Sequence, residues 1–469
     1  MAGKHRAFFE TRWRMNAMLR PRLNSVAVPI FLEFLLGMSV AMIGLWLASV
    51  ASDVAAGTLG VMQQVQETMV VLFRVLAIGV GVSVTQLLGA DRKLAAKSTA
   101  TSALAAATWI GLLGFLWLTL GRSLTLSWLN TPADVVVLAL PYMLVMAPGL
   151  WLEGYNLTMA SILRAHLRVR ESLLVMVAMH LTHLVLAWWL MLGFAGWEGL
   201  GLMGFAVAFL LSRWLGLVLH LWLWKHRLDL HLQWPQWFVV KPTLLWPVLK
   251  VGVPGASQEM VYRMGFMVSL ATVATLGVEA LATHSYVLQI LKFVLLVSMA
   301  IGWASEIMVG RLVGAAELNH ADTLVRKGVR NGLIASGSLA AVAAVASPWL
   351  LRVFTKDPAI IEAAQVLLWM SIALELARVF NLILNGALRA TNDGVFAAGS
   401  GMVSQVLVLG VGSYWLGRWL GLPGIWLAYI ADEGLRGAVL WWRWDKRGWL
   451  VHTKRWRSEQ RRQQAADSA

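Results

Sequence analysis

Apolar runs longer than about 18 residues recur from one end of this 469-residue chain to the other, each long enough to cross a bilayer as a helix. Only 13% of the residues are charged, where a soluble domain carries roughly 25%. The deficit is spread along the whole chain, which excludes a soluble enzyme hung on one membrane anchor. The runs predict spans at 25–50, 55–87, 94–120, 134–160, 170–192 and 199–223, then at 247–276, 280–310, 322–346, 359–387, 395–416 and 423–443. The expected fold class is an all-α polytopic membrane protein of about 12 transmembrane helices. Several runs exceed the roughly 20 residues a bilayer needs, so tilt or projection into solvent is expected. Pro29, Pro141, Pro148 and Pro254 fall inside spans, where they loosen the helix.

The chain matches itself. Val28-Pro29 returns as Val253-Pro254, position 28 recurring at 253, an offset of 225. At the same offset Ala55, Thr58 and Gln64 meet Ala280, Thr283 and Gln289, and Leu87, Gly89 and Ala90 meet Leu312, Gly314 and Ala315. Asn156 meets Asn381, Leu163-Arg164-Ala165 meets Leu388-Arg389-Ala390, and Gly199 meets Gly424. Compositional bias produces chance matches of Leu and Ala, but not of Pro, Gln, Asn and Leu-Arg-Ala at one shift. Six spans per repeat is an even number, so both halves enter the membrane in the same direction. Two six-helix lobes related by a pseudo-twofold axis along the membrane normal are expected, with a cleft between them. The expected division is a basic tail at 1–24, an N-lobe at 25–223, a linker at 224–246, a C-lobe at 247–443 and a second basic tail at 444–469. The linker alternates polar and apolar residues from Arg227 to Trp234, as an extended or interfacial segment does.

Lys and Arg set the orientation. They crowd into both tails and the loops around Arg92, Arg168, Arg227, Lys327 and Arg389, whereas the opposite loops hold Arg122, Arg352, Lys356 and Arg418. Both termini are therefore expected in the cytoplasm. The net charge of +15 belongs to anionic lipid rather than nucleic acid, because its carriers sit between apolar runs. Lys4, Arg6, Arg12 and Arg14 resemble the start of a signal peptide, but the run from Ser25 to Val50 is too long for a signal core of about 7–15 residues. The absence of cysteine excludes disulfides, thiolate zinc sites and cysteine-held iron–sulfur clusters.

Pro29-Ile30-Phe31-Leu32-Glu33 in the first span, Leu87-Leu88-Gly89-Ala90 after the second and Leu163-Arg164-Ala165 after the fourth form an ordered set. Gly252-Val253-Pro254, Leu312-Val313-Gly314-Ala315 and Leu388-Arg389-Ala390 repeat it in the second half. With this set on a duplicated topology, residues 25–443 resemble the multidrug and toxic compound extrusion (MATE) family. The resemblance implies an antiporter of a bacterial inner membrane, acting as a monomer, that expels cationic or amphipathic compounds in exchange for H⁺ or Na⁺. No other cofactor, and no metal site, is implied. Many members carry an Asp about fifteen residues after the first-span proline, where this chain has Gly44, and another about ten residues before the second Leu-Arg pair, where it has Arg378. Those carboxylates cannot couple an ion here.

Ionisable groups inside a membrane are costly and default to function. Glu33 and Glu259 follow Pro29 and Pro254 by about a turn, where a loosened helix admits water or an ion. They are the expected ion- or proton-coupling groups, unless each merely pairs with an arginine. Glu67 and Lys292 stand at equivalent positions of the second and eighth spans, with Arg74 two turns beyond Glu67. Opposite charges there either pair across the cleft or neutralise partners in their own lobes. Glu153 and Arg378 are also equivalent, and Glu375 lies three residues before Arg378 on one helical face. Arg263 beside Glu259, and Asp432 and Glu433 beside Arg436, read as local pairs, and Glu306 as a neighbour of Arg311. His180 and His183 share a face of the fifth span, a pattern commoner in packing than in metal binding.

Two other functions compete. A flippase for lipid-linked oligosaccharides uses the same duplicated core, but its phosphate cargo favours a basic cavity and this chain offers both signs. A membrane enzyme or nucleotide-driven pump would need a motif such as H-E-x-x-H, G-x-S-x-G or Walker A. The nearest approach, Ala96-Lys97-Ser98, lacks the glycine.

Overall fold

The structure, a computed structural model, describes residues 22–193 and 197–467. The basic residues of the N-terminal tail before Arg22 lie outside the described residues. The first half consists of α1 (Leu23–Ala51), α2 (Asp53–Gly89), α3 (Lys93–Leu120), the short α4 (Arg122–Trp128), α5 (Ala133–Ala165), α6 (Val169–Leu192) and α7 (Leu202–Arg227). The second half follows with α8 (Pro242–Thr275), α9 (Val278–Gly314), α10 (Leu318–Val345), the short α11 (Ser347–Arg352) and α12 (Pro358–Ala390). Next come α13 (Gly394–Ser404), a π-helical stretch (Gln405–Val411), α14 (Gly412–Leu420) and α15 (Leu422–Asp445). The linker between the halves holds one 3₁₀ turn, Trp234–Trp237. Beyond the second half the chain adds a helix that its sequence did not announce, α16 (Trp449–Asp467).

The 225-residue offset reappears in the helix ends. Adding it to α2, α3 and α5 gives the bounds of α9, α10 and α12 residue for residue. Counting α13 to α14 as one span, twelve described helices of the two halves are long enough to cross a membrane, and ten are also apolar enough. The other two, α8 and α15, are more polar because they carry charge: Glu259 and Arg263 on one, Asp432, Glu433 and Arg436 on the other. At 37 residues each, α2 and α9 run about 55 Å at 1.5 Å per residue, so they project beyond the hydrocarbon core.

The repeated motifs are helix stops. The amides of Arg92 and Glu317 reach back to the carbonyls of Leu87 and Leu312, at 2.9 and 2.8 Å, and those of Arg168 and Asp393 reach Leu163 and Leu388, both at 2.9 Å. Each closure turns on a left-handed residue, Asp91, Ala316, Leu167 or Asn392. This is the Schellman ending, which satisfies carbonyls that a helix terminus leaves free.

Within the first half, α2 packs on α5, α5 on α7, α6 on α7 and α3 on α5. The equivalent pairs α9–α12, α12–α15, α14–α15 and α10–α12 pack in the second. These are two six-helix lobes. Between them α1 meets α9, α2 meets α8, and α2 meets α9, a set that maps onto itself when the halves are exchanged. At the end bearing the basic loops, hereafter the basic end, α2 and α9 come into backbone contact. A Cβ on Gly89 would lie 2.1 Å from the Arg311 carbonyl oxygen, and one on Gly314 would lie 2.1 Å from that of Gln86. Only glycine lets the two backbones approach this closely. The contact is clasped symmetrically: Gln86 Nε2 donates to the Ala390 carbonyl at 2.8 Å, and its repeat equivalent Arg311 donates to the equivalent carbonyl, Ala165, at 2.8 Å.

Candidate functional site

Two side chains per helix build a charged bridge across the lobe boundary midway along the cleft. On α2 Glu67 and Arg74 lie two turns apart, and on α8 Glu259 and Arg263 lie one turn apart, so each pair shares a helix face. Arg263 reaches Glu67 at 2.7 Å and its own-helix neighbour Glu259 at 3.4 Å, while Arg74 pairs with Glu259. The Glu67 side chain is 55% exposed, as expected of a group facing an open cleft. Among the described residues, every hydrogen bond or ion pair between the lobes lies between this bridge and the basic end. Beyond Glu67 the lobes part. Lys292, the equivalent of Glu67 on α9, is exposed and has no acidic partner among the described residues. Neither expected arrangement is seen: Glu67 pairs with Arg263 of the other lobe rather than with Lys292 or a partner in its own lobe, and Lys292 has no acidic partner among the described residues.

Glu33 is different. It is buried in the N-lobe, where Arg164 of the Leu-Arg-Ala ending of α5 holds one carboxylate oxygen at 2.9 Å; the other has no partner. The Arg164 guanidinium also lies 5.5 Å from the Trp303 ring of α9, so this pair abuts the lobe boundary. In the C-lobe the equivalent positions are Gln258 and Arg389. Gln258 accepts from Asn385 at 2.9 Å, Arg389 donates to Asn385 at 2.8 Å, and Arg389 pairs with Glu306 at 2.7 Å. Glu306 thus belongs to Arg389 rather than to Arg311, which is spent on the clasp. Sequence separation misled here, because neighbours on one helix lost to a guanidinium arriving from another.

Glu153 pairs with Arg213 of α7 at 2.7 Å, a partner that no local spacing singles out. Around them Asn156 donates to the Arg213 carbonyl and meets His220, both at about 3 Å. His180 and His183 are buried close by, and His183 sits edge-on to Phe205 and Phe209. Among the described residues no group of three or more possible ligands could hold a metal. Phe205 also fills the space beside Gly44, where an added Cβ would lie 2.8 Å from its ring. The place at which the family resemblance implied a carboxylate is here occupied by an aromatic edge.

The densest charge lies in the C-lobe, where α12 and α15 face each other. Arg378 pairs with Glu375 on its own helix and reaches Glu433 at 3.3 Å. Arg436 holds Asp432 at 2.6 Å and Glu433 at 3.1 Å. Asn381 donates to Glu433 and Ser404 to Asp432, each at 2.7 Å. Three carboxylates meet two guanidinium groups, and all five side chains are buried or nearly so. One oxygen of Glu375 has no partner. The cluster therefore carries one uncompensated negative charge. It also adjoins the π-helical stretch, whose Gln405 Oε1 is buried without a partner; π segments in α-helices gather at functional sites. The i,i+3 spacing showed Glu375–Arg378, but the five-member cluster needed α15 brought against α12.

The chain matches the family model MatE over residues 29–189 and again over 254–415, which begin 225 residues apart. It is 28% identical to an uncharacterised transporter, YisQ, of Bacillus subtilis, over 95% of this chain and 99% of the relative. It is 23% identical to a probable multidrug resistance protein, NorM, of Thermotoga maritima, over 93% and 95% of the two chains. Among solved structures it resembles a multidrug resistance MATE transporter in an outward-facing conformation, with TM-score 0.83 and 16% identity over 92% of this chain and 96% of that one. It also resembles a transporter of the same wider superfamily from Pyrococcus furiosus described as having a binding pocket of reverse polarity, with TM-score 0.81 and 15% identity over 92% and 96%.

Proposed function

We propose that this chain, which belongs to the MatE family of membrane transporters, exports amphipathic organic compounds, cationic ones among them, in exchange for protons by alternating access. The basic end lies in the cytoplasm, and the cleft opens to the opposite side. Glu67 and Glu259, part-exposed in the cleft, would hold a cationic head group. The coupling site is the C-lobe cluster, where three acids share two arginines, rather than Glu33 or Glu259, each of which is matched by an arginine of its own.

The observation that carries this reading is the charge imbalance of Glu375, Arg378, Asp432, Glu433 and Arg436. A buried ion cluster tolerates an odd charge poorly, and one proton brings this one to neutrality. The groups facing it from neighbouring elements are Tyr262 of α8, Asn381 of α12, Tyr429 of α15 and Ser404 of α13, which leaves its charge unchanged. Its state reaches the cleft along one path: α12 also carries Asn385, which holds Gln258 of α8, and the next residue is Glu259 of the interlobe bridge. Protonation alters the packing of α12 against α15, and α8 passes the change to the cleft. A ligand has only to favour one arrangement of the lobes over the other for this to drive transport.

The test is efflux of ethidium from proteoliposomes with the pH and Na⁺ gradients imposed separately. A pH gradient should drive transport in the parent, and Glu375→Gln or Asp432→Asn should remove that drive while leaving ethidium bound. Efflux driven by Na⁺ at clamped pH, or a Glu375→Gln variant that still follows the pH gradient, would exclude this site.

A further inference from the structure

The second and eighth spans carry a single pair of repeat-equivalent positions at which both residues are charged, and the signs are opposite: Glu67 and Lys292. We infer that these two side chains form a gate on the side of the cleft away from the basic loops, pairing with each other when the lobes rock closed there. The inference rests on the alternating-access reading above and assigns the residues that seal its other state.

Three observations lead to it. The basic end is sealed by contacts that obey the repeat, Gly89 against Arg311 and Gly314 against Gln86, with Gln86 and Arg311 reciprocally clasping Ala390 and Ala165. Helices α2 and α9 therefore cross at this end and diverge from it. From Glu67 to Gly89 is about 33 Å of helix at 1.5 Å per residue, and from Lys292 to Gly314 the same, so both charges sit far out on the diverging arms. Rocking that opens the basic end must bring these arms together, and equivalent positions then approach across the pseudo-axis.

The present state leaves this pair half made. Glu67 is engaged only by Arg263, which is shared with Glu259, and Lys292 has no acidic partner among the described residues. A lysine within a membrane span without a counter-charge is costly. Closure would supply one, and the Arg263 released from Glu67 would keep Glu259. The neighbouring cleft residues Gln64 and Gln289, one turn further out and also repeat-equivalent, would meet as a neutral pair and add a hydrogen bond. Opposite charge at equivalent sites favours closure; like charge there would oppose it.

The absence of cysteine makes the unaltered chain the background for the test. Two double-cysteine variants are reconstituted, Glu67→Cys with Lys292→Cys for the gate and Gln86→Cys with Ala390→Cys for the clasp, and both are cross-linked with a short thiol reagent across a range of pH and ethidium concentrations. We expect gate cross-linking to rise severalfold under the conditions in which clasp cross-linking falls. In single-cysteine variants at Gln64, Glu67→Gln or Lys292→Gln should each raise labelling by an impermeant maleimide about tenfold, the change that corresponds to about 1.4 kcal/mol, and combining them should add little more. Clasp cross-linking that falls while the gate pair stays at background would overturn this pairing alone. So would additive effects of the two substitutions, or a Lys292→Gln variant that loses only transport of anionic compounds with Gln64 labelling unchanged. Clasp cross-linking that never changes would overturn alternating access and the gate with it.

Discussion

Glu33 and Glu259 each stand about a turn beyond a helix proline, yet their surroundings assign them different work. Glu33 is 3% exposed and faces the buried guanidinium of Arg164. Replacing it with Gln leaves that charge without its counter-ion, which costs about 3–5 kcal/mol when a buried pair is broken. Glu33→Gln is therefore expected to lower the melting temperature in detergent sharply, and Glu259→Gln, in a part-exposed bridge with a second acid, to lower it little. Equal melting temperatures for the two variants would contradict that assignment. Gly44 makes a complementary case. An Asp there meets Phe205, so Gly44→Asp should fold poorly and Gly44→Asp with Phe205→Ala should recover, as read by the yield of monodisperse protein.

At the scale of the element, the two fifth-position helices differ where their repeats should agree. α6 is an unbroken α-helix, whereas its counterpart runs α13, π-helical stretch, α14. The wide turn lies next to Ser404, which holds Asp432, and to Gly265 of α8, where an added Cβ would lie 2.9 Å from the Gln405 carbonyl. Deleting Leu407 would let the stretch return to α geometry with little net rotation of α14, because seven residues of the wide turn sweep about the same angle as six of an α-helix. We expect unchanged helix content by circular dichroism and loss of pH-driven efflux, because the wide turn beside Ser404, Asp432 and Gly265 is then gone. Retained transport would show that the π stretch is incidental to coupling.

Across the whole molecule, α16 links the lobes a second time. Its start is fixed to the C-lobe by Trp449 stacked on Trp444, ring centres 4.7 Å apart, and by Thr453 donating to the Thr391 carbonyl at 3.1 Å. Its far end reaches the N-lobe, where Arg92 in the turn after α2 donates to Gln460. A helix tied to both lobes at the basic end resists opening there. Truncation after Gly448 should leave the twelve spans folded and raise the fraction open at that end, seen as weaker cross-linking of the Gln86→Cys, Ala390→Cys pair. Cross-linking equal to that of the full chain would show α16 to be bound without restraining the lobes.

Span number and the duplication could be read from the chain alone, because each rests on a local rule: the length an apolar run needs and self-similarity at one offset. The identities of the charged residues were equally plain, and those three or four apart on one helix, Glu375 with Arg378 and Glu259 with Arg263, paired as the spacing required. What spacing could not supply was any partner from another helix. Arg164 for Glu33, Arg213 for Glu153, Arg389 for Glu306 and α15 for α12 come from separations of 40 residues or more. In a low-dielectric interior the nearest opposite charge wins whatever its place in the sequence. Only the packed lobes decided which acids are neutralised, which cluster keeps an uncompensated negative charge, and that Lys292 has no acidic partner among the described residues.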